Sequence, residues 1–118
     1  MSQKHGINHA TVVALIGELG TGKTTFVQKF AKAYGIKEHV TSPTFVILKK
    51  YGNLIHIDAY RLESSRDLEN LGIRDLINNP EHIIFIEWAD RVLDILPEEH
   101  ITIHFAHVNH TSRKISID

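Results

Sequence analysis

A three-layer α/β fold, with a mostly parallel central sheet and an antiparallel edge hairpin, is predicted by three features of the sequence. Apolar, β-branched runs alternate with stretches of helical periodicity along the 118 residues, as in a parallel sheet covered by helices. A glycine-rich segment joins the first run to the first helix. Two later runs lead into Asp58 and Glu87, acids set where the strands stop.

The run Thr11-Val12-Val13-Ala14-Leu15-Ile16 is apolar and β-branched enough for a buried strand. Behind it, Gly17-Glu18-Leu19-Gly20-Thr21-Gly22-Lys23-Thr24 matches G-x-x-x-x-G-K-[ST]. Thr25 to Tyr34 then reads as a helix, with Phe26, Val27, Phe30, Ala31 and Tyr34 gathered on one face and Gly35 as its C-terminal stop. Strand, glycine loop and helix stand in the order a phosphate cradle requires, so the fold is read as P-loop NTPase-like. Glycines at 17, 20 and 22 allow positive φ and turn backbone N–H groups inward, while the helix N-terminus adds partial positive charge.

The nucleotide-binding candidates are therefore Glu18, Leu19, Gly20, Thr21, Gly22, Lys23, Thr24 and Thr25. Lys23 would reach the β- and γ-phosphate oxygens, Thr24 would offer its hydroxyl to Mg2+, and Thr25 would bond an α-phosphate oxygen. With glycine at about 7% of residues, a chance match in so short a chain has odds on the order of a few in a thousand.

Thr41-Ser42-Pro43-Thr44 leads into a strand, Phe45 to Leu48, because proline biases Ser42 to extended geometry. Its position after the first helix also suits a switch-like loop facing a γ-phosphate. Lys49-Lys50 and Gly52-Asn53 mark a strand end and a hairpin turn, with Leu54 to Ile57 returning. Asp58 follows directly. An acid at the C-terminal end of a parallel strand points to the ligand crevice, where it would orient the attacking water or a water on Mg2+; alone, it would as readily cap the next turn.

Ser64 begins a second helix with Asp67 as a weak capping box, Leu68 and Leu71 inward and Gly72 as its end. Ile73 to Ile77 adds a short helical turn before Asn78-Asn79-Pro80. Ile83-Ile84-Phe85-Ile86-Glu87 taken alone reads as a core strand ending in a surface Glu; paired with the glycine loop it reads as a doubly buried strand that delivers a carboxylate beside Mg2+. Trp88 is either a core aromatic or a contact to a partner or a neighbouring loop. Ala89 to Leu96 reads as a short helix stopped by Pro97. His100 to Phe105 and Ser112 to Ile117 alternate across a turn at 108–111 and make the closing hairpin.

The bulk numbers suit one domain over residues 1–118, with 1–9 expected to fray. Thirteen basic against fourteen acidic side chains give a charge of −1, so strong unaided nucleic-acid binding is not expected. The polar start and the lack of a long apolar run point to a cytoplasmic protein without a membrane segment. The absence of cysteine excludes disulfides and thiolate metal sites. His104, His107 and His110 are spaced by three on a strand whose side chains alternate by two, so they read as solvent-facing rather than metal-binding.

Taken in order, the glycine loop through Thr25, Ser42-Pro43-Thr44-Phe45, His56-Ile57-Asp58-Ala59-Tyr60-Arg61-Leu62 and Ile86-Glu87-Trp88 resemble the TsaE family, also called YjeE. These are P-loop ATPases of bacterial tRNA threonylcarbamoyladenosine synthesis. The likeness runs from residue 11 to about residue 117. It implies an ATP- and Mg2+-dependent ATPase that docks on the TsaB–TsaD pair and supports its repeated turnover. It carries functional roles onto Lys23, Thr24, Asp58 and Glu87, with Thr44 and Trp88 also in family motifs. Family members usually have a longer segment before the P-loop strand, part of which helps form the nucleotide pocket; here about ten residues precede it.

The mechanism expected is electrostatic positioning. Lys23, Asp58 and Glu87 are the catalytic candidates, and Thr24 and Glu87 the metal ligands. No arginine finger is evident, Arg61 being the nearest arginine in sequence, so the isolated ATPase should be slow. Three rivals stay open. A small-molecule kinase would need an acceptor site and usually an arginine-rich lid. A GTP switch normally carries N/T-K-x-D, which is absent. A non-hydrolysing nucleotide-binding adaptor would bind ATP and release no phosphate.

Overall fold

Residues 8–17, 22–38, 40, 48–109 and 112–117 are described by the computed structural model, with side chains described as far as residue 106. Glu18, Leu19, Gly20 and Thr21, the 41–47 segment with Thr44, and His110 lie outside the described residues, as do residues 1–7 of the expected frayed start.

Six strands form one sheet in the order β2-β3-β4-β1-β5-β6. They are β1 (Thr11–Ile16), β2 (Leu48–Tyr51), β3 (Leu54–Asp58), β4 (Ile83–Glu87), β5 (Ile101–Asn109) and β6 (Ser112–Ile117). The inner strands β3, β4, β1 and β5 run parallel, and β2 and β6 add an antiparallel strand at each edge. The register pairs Leu15 with Glu87 and Asp58 with Glu87. The carboxyl ends of β1, β3 and β4 therefore share one rim.

Alternation along the strands sorts side chains to two faces. Val12, Ala14, Ile55, Ile57, Ile84 and Ile86 pack with Leu68, Ile73 and Ile77 from α2 (Ser65–Glu69) and α3 (Ile73–Ile77). Val13, Leu15, Leu54, Phe85, Ile103 and Phe105 pack with Val27 and Ala31 of α1 (Lys23–Tyr34). Phe30 meets Phe85 edge-on at 4.9 Å between ring centres, and Phe26 meets both Phe85 and Phe105. Burial on both faces explains why β4 is continuously apolar up to its acid.

Gly35 ends α1 in the left-handed region at φ 100°. Elsewhere the structure departs from the sequence reading. Tyr34 is exposed and stacks on Phe30, so it lies at the margin of the buried face. Strand β2 continues to Tyr51, because Lys49 and Lys50 pair across with His56 and Ile55 while their side chains stay exposed on the edge. The helix expected over 64–72 is shorter: α2 ends at Glu69, Leu71 is exposed, and Gly72 at φ 86° precedes α3, the short helical turn expected at Ile73 to Ile77. No side-chain cap forms at Ser64, and the Asp67 carboxylate accepts the Glu63 N–H instead, at 3.2 Å. Ala89 to Leu96 is not an α-helix but two 3-10 turns, Ala89–Arg91 and Leu93–Ile95, whose bonds span three residues so that Val92 and Leu96 reach the core. The closing hairpin has β5 running to Asn109, past the start of the expected turn. No helix among the described residues is long and apolar enough to cross a membrane.

Candidate functional site

The rim where β1, β3 and β4 end gathers the candidate residues. Gly22 adopts φ 97°, a conformation glycine takes without steric cost, and the helix begins at the next residue. This places Lys23 and Thr24 in the first turn of α1, directly behind the glycine loop. Lys23 is buried, and its ammonium donates to the Gly17 carbonyl and lies 4.3 Å from the centre of the Trp88 ring.

Glu87 closes β4 and is buried at 5% exposure, which rules out a surface acid that merely ends a core strand. Its Oε2 accepts the Thr24 hydroxyl at 2.7 Å and stands 2.6 Å from Nε2 of His56. The sheet explains this meeting. His56 shares a face with Leu54, and Glu87 shares one with Phe85, both looking toward α1. His56 is in register with Phe85, so Glu87 is its diagonal neighbour two residues on, a separation that long side chains span.

Asp58, on the same strand face as His56, lies level with Glu87 and is half-buried. Its Oδ1 accepts the Tyr60 N–H at 2.9 Å. Burial pushes its carboxyl above the ordinary aspartate value of 3.8. The Tyr60 N–H opposes that rise, the neighbouring Glu87 charge adds to it, and His56 and Lys23 pull it back. Asp58 thus combines the turn-capping geometry with a place in the charged cluster.

Of the site candidates, Gly22, Lys23, Thr24, Asp58 and Glu87 come together at this rim, and Thr25 is exposed one residue along α1. Two contacts had not been anticipated. His56 is fully buried beneath the site; the available signal was a polar residue at an inward position of an otherwise apolar strand. The arginine near Trp88 is Arg91 rather than Arg61. Its guanidinium lies 5.4 Å from the Tyr60 ring and 5.9 Å from the Trp88 ring, while Arg61 is exposed. Trp88 is the described non-glycine residue with positive φ, at 59°, and its ring lies 4.9 Å from Tyr60. His104 is half-buried on the inner strand β5 rather than simply solvent-facing. Among the described residues no group of three His, Cys, Asp or Glu side chains is placed to hold a metal by itself.

A family model described as threonylcarbamoyl adenosine biosynthesis protein TsaE matches residues 2–115. The tRNA threonylcarbamoyladenosine biosynthesis protein TsaE of Treponema pallidum is 37% identical over 114 residues, covering 94% of this chain and 84% of that protein. The protein of the same name from Bacillus subtilis is 37% identical over 109 residues, covering 89% of this chain and 67% of its own length. The crystal structure of Bacillus subtilis YdiB superposes with a TM-score of 0.75 at 31% identity, over 92% of this chain and 68% of that one. On this match and these identities, the chain belongs to the TsaE family of threonylcarbamoyl adenosine biosynthesis proteins.

Proposed function

We propose that residues 1–118 form a cytoplasmic P-loop ATPase domain that binds and hydrolyses ATP with Mg2+. By doing so it supports repeated tRNA N6-threonylcarbamoyladenosine formation by the TsaB–TsaD pair. The observation that carries this reading is the 2.7 Å bond between Thr24 and Glu87. It joins the residue behind the glycine loop to the acid ending the neighbouring parallel strand, the two positions from which a P-loop site holds its metal.

The donor chemistry fits Mg2+. A hydroxyl and one carboxylate are hard oxygen ligands, and Mg2+ is usually held by one or two carboxylates together with phosphates and water rather than by a protein cage. Bound there, it would supply positive charge that offsets the negative charge of the phosphates.

Backbone N–H groups at the start of α1 face the phosphates and favour negative charge. Lys23 exchanges the Gly17 carbonyl and the Trp88 face for the phosphate oxygens, adding a cation where charge builds in the transition state. Asp58 accepts a hydrogen bond from the attacking water and orients it. Its raised pKa suits a group that takes up a proton as bond formation proceeds. Thr24 and Glu87 would hold the metal through the hydroxyl and the carboxylate that their mutual bond keeps together. TsaB and TsaD homologues complete or license the site, and the isolated chain turns over slowly.

The test compares wild type with Lys23→Ala for ATP affinity and for phosphate release, with and without TsaB and TsaD homologues. Loss of one charge-assisted contact worth about 1.5–3 kcal/mol should weaken ATP binding roughly 10- to 100-fold. Phosphate release should fall to background, and capture of the TsaB–TsaD pair should depend on ATP. Unchanged binding and hydrolysis in Lys23→Ala would overturn the proposal.

A further inference from the structure

Beneath Glu87 lies an ionisable side chain that the ATPase reading does not use. His56 has no exposed surface, sits in the middle of a parallel strand, and faces α1 with the apolar residues Leu54 and Phe85. A leucine would fill that place without a polar group. Among the described residues the imidazole makes one hydrogen bond, Nε2 to Glu87 Oε2 at 2.6 Å. Its Nδ1 is buried with no hydrogen-bond partner among the described residues. Glu87 can only accept, so Nε2 is the donor, and the bare Nδ1 leaves the ring a single hydrogen bond.

A buried ring that satisfies only one of its two nitrogens has its polar capacity directed at one target. That target is the oxygen already bonded to the Thr24 hydroxyl. Two donors on one oxygen, one from α1 and one from β3, fix both the carboxylate torsion and its distance from the helix N-terminus. We infer that His56 is a positioning residue for Glu87: its Nε2–H holds the carboxylate in the orientation that makes it a metal ligand. This rests on the Mg2+–ATP reading above and goes beyond it by assigning the group that orients the ligand. Groups in this outer position typically change metal affinity or activity 10- to 100-fold when removed.

Two substitutions separate positioning from packing. His56→Gln carries an amide N–H to about the reach of Nε2, whereas His56→Asn stops near the position of Nδ1, short of Glu87. Both put an amide in the same buried place, so both bear a similar folding penalty and differ in reach.

The measurements are Mn2+ affinity of the protein–ATP complex by electron paramagnetic resonance, metal-free ATP affinity, and the Mg2+ dependence of phosphate release. His56→Asn should weaken Mn2+ binding and raise half-saturating Mg2+ by about 10- to 100-fold. Metal-free ATP affinity should stay within about twofold of wild type, and His56→Gln should restore metal affinity to within a few fold. Equal metal affinity in wild type and His56→Asn, or equal loss in both variants, would overturn the assignment while leaving the ATPase reading intact. A wild-type protein that binds no ATP would instead remove the ATPase reading, and this inference with it.

Discussion

Replacing Glu87 by Ala should destabilise the protein even without ligand, by an amount that follows from what it leaves behind. His56 is fully buried and its Nε2 then has no acceptor, an orphaned donor costing about 1–3 kcal/mol. Thr24 also loses its acceptor, but it is only half-buried and water can replace part of that bond. Against these stands the relief of an ionised carboxylate held out of water. With the two smaller terms opposing each other, the net loss is about 1–3 kcal/mol, or a fall in Tm of roughly 4–12 °C for a chain of this size.

Urea melts of wild type, Glu87→Ala, His56→Leu and the double variant measure this, with similar m-values taken as the sign that the unfolding reaction has not changed. In the double variant no orphaned imidazole remains. It should therefore be more stable than the sum of the single losses implies, by about 1–2 kcal/mol. Losses that add to within about 0.5 kcal/mol, or a Glu87→Ala loss below about 0.5 kcal/mol, would refute the claim that the buried pair is energetically coupled.

Two further outcomes follow from the same rim. Burial raises the Asp58 carboxyl above 3.8, so the native state binds its proton more readily than the unfolded chain, and stability falls as pH rises through the folded value. Asp58→Asn keeps an acceptor for the Tyr60 N–H and removes that charge. Its Tm should exceed that of wild type at pH 7, the gain should shrink as pH drops toward 3.8, and phosphate release should be lost; a Tm difference independent of pH contradicts this. Trp88 is the single tryptophan of the sequence and has the Lys23 ammonium 4.3 Å from its ring. Adding ATP with Mg2+ should draw the ammonium away and change tryptophan emission in wild type but not in Lys23→Ala, and an equal response in both would show that Lys23 does not move.

The local elements that open the site were legible because their signals are local. A β-branched run, glycines that admit positive φ and a helical period after Lys23 lie within about 25 consecutive residues, and the structure has β1 and α1 there with Gly22 at φ 97°. The acids ending β3 and β4 were equally visible, since an apolar run stopping at a carboxylate is a one-dimensional pattern.

The short helices were less legible. The helix expected over 64–72 stops at Glu69, the short turn expected at 73–77 forms as α3, and the single helix expected over 89–96 is two 3-10 turns. The partner of a buried side chain was not legible at all. That His56 meets Glu87 depends on β3 and β4 being parallel neighbours in a register that sets His56 beside Phe85 and Glu87 diagonally across, and residues 31 positions apart in sequence carry no mark of that pairing. Likewise, Lys23 lies against Trp88 only because β1 and β4 end level, with the left-handed turn at Trp88 bringing the ring into reach. The candidates for phosphate and metal contact were readable from the chain alone, because backbone freedom, charge and donor type belong to single residues. Only the tertiary structure decided which of them meet, because strand order and register are settled by burying both faces of the sheet at once.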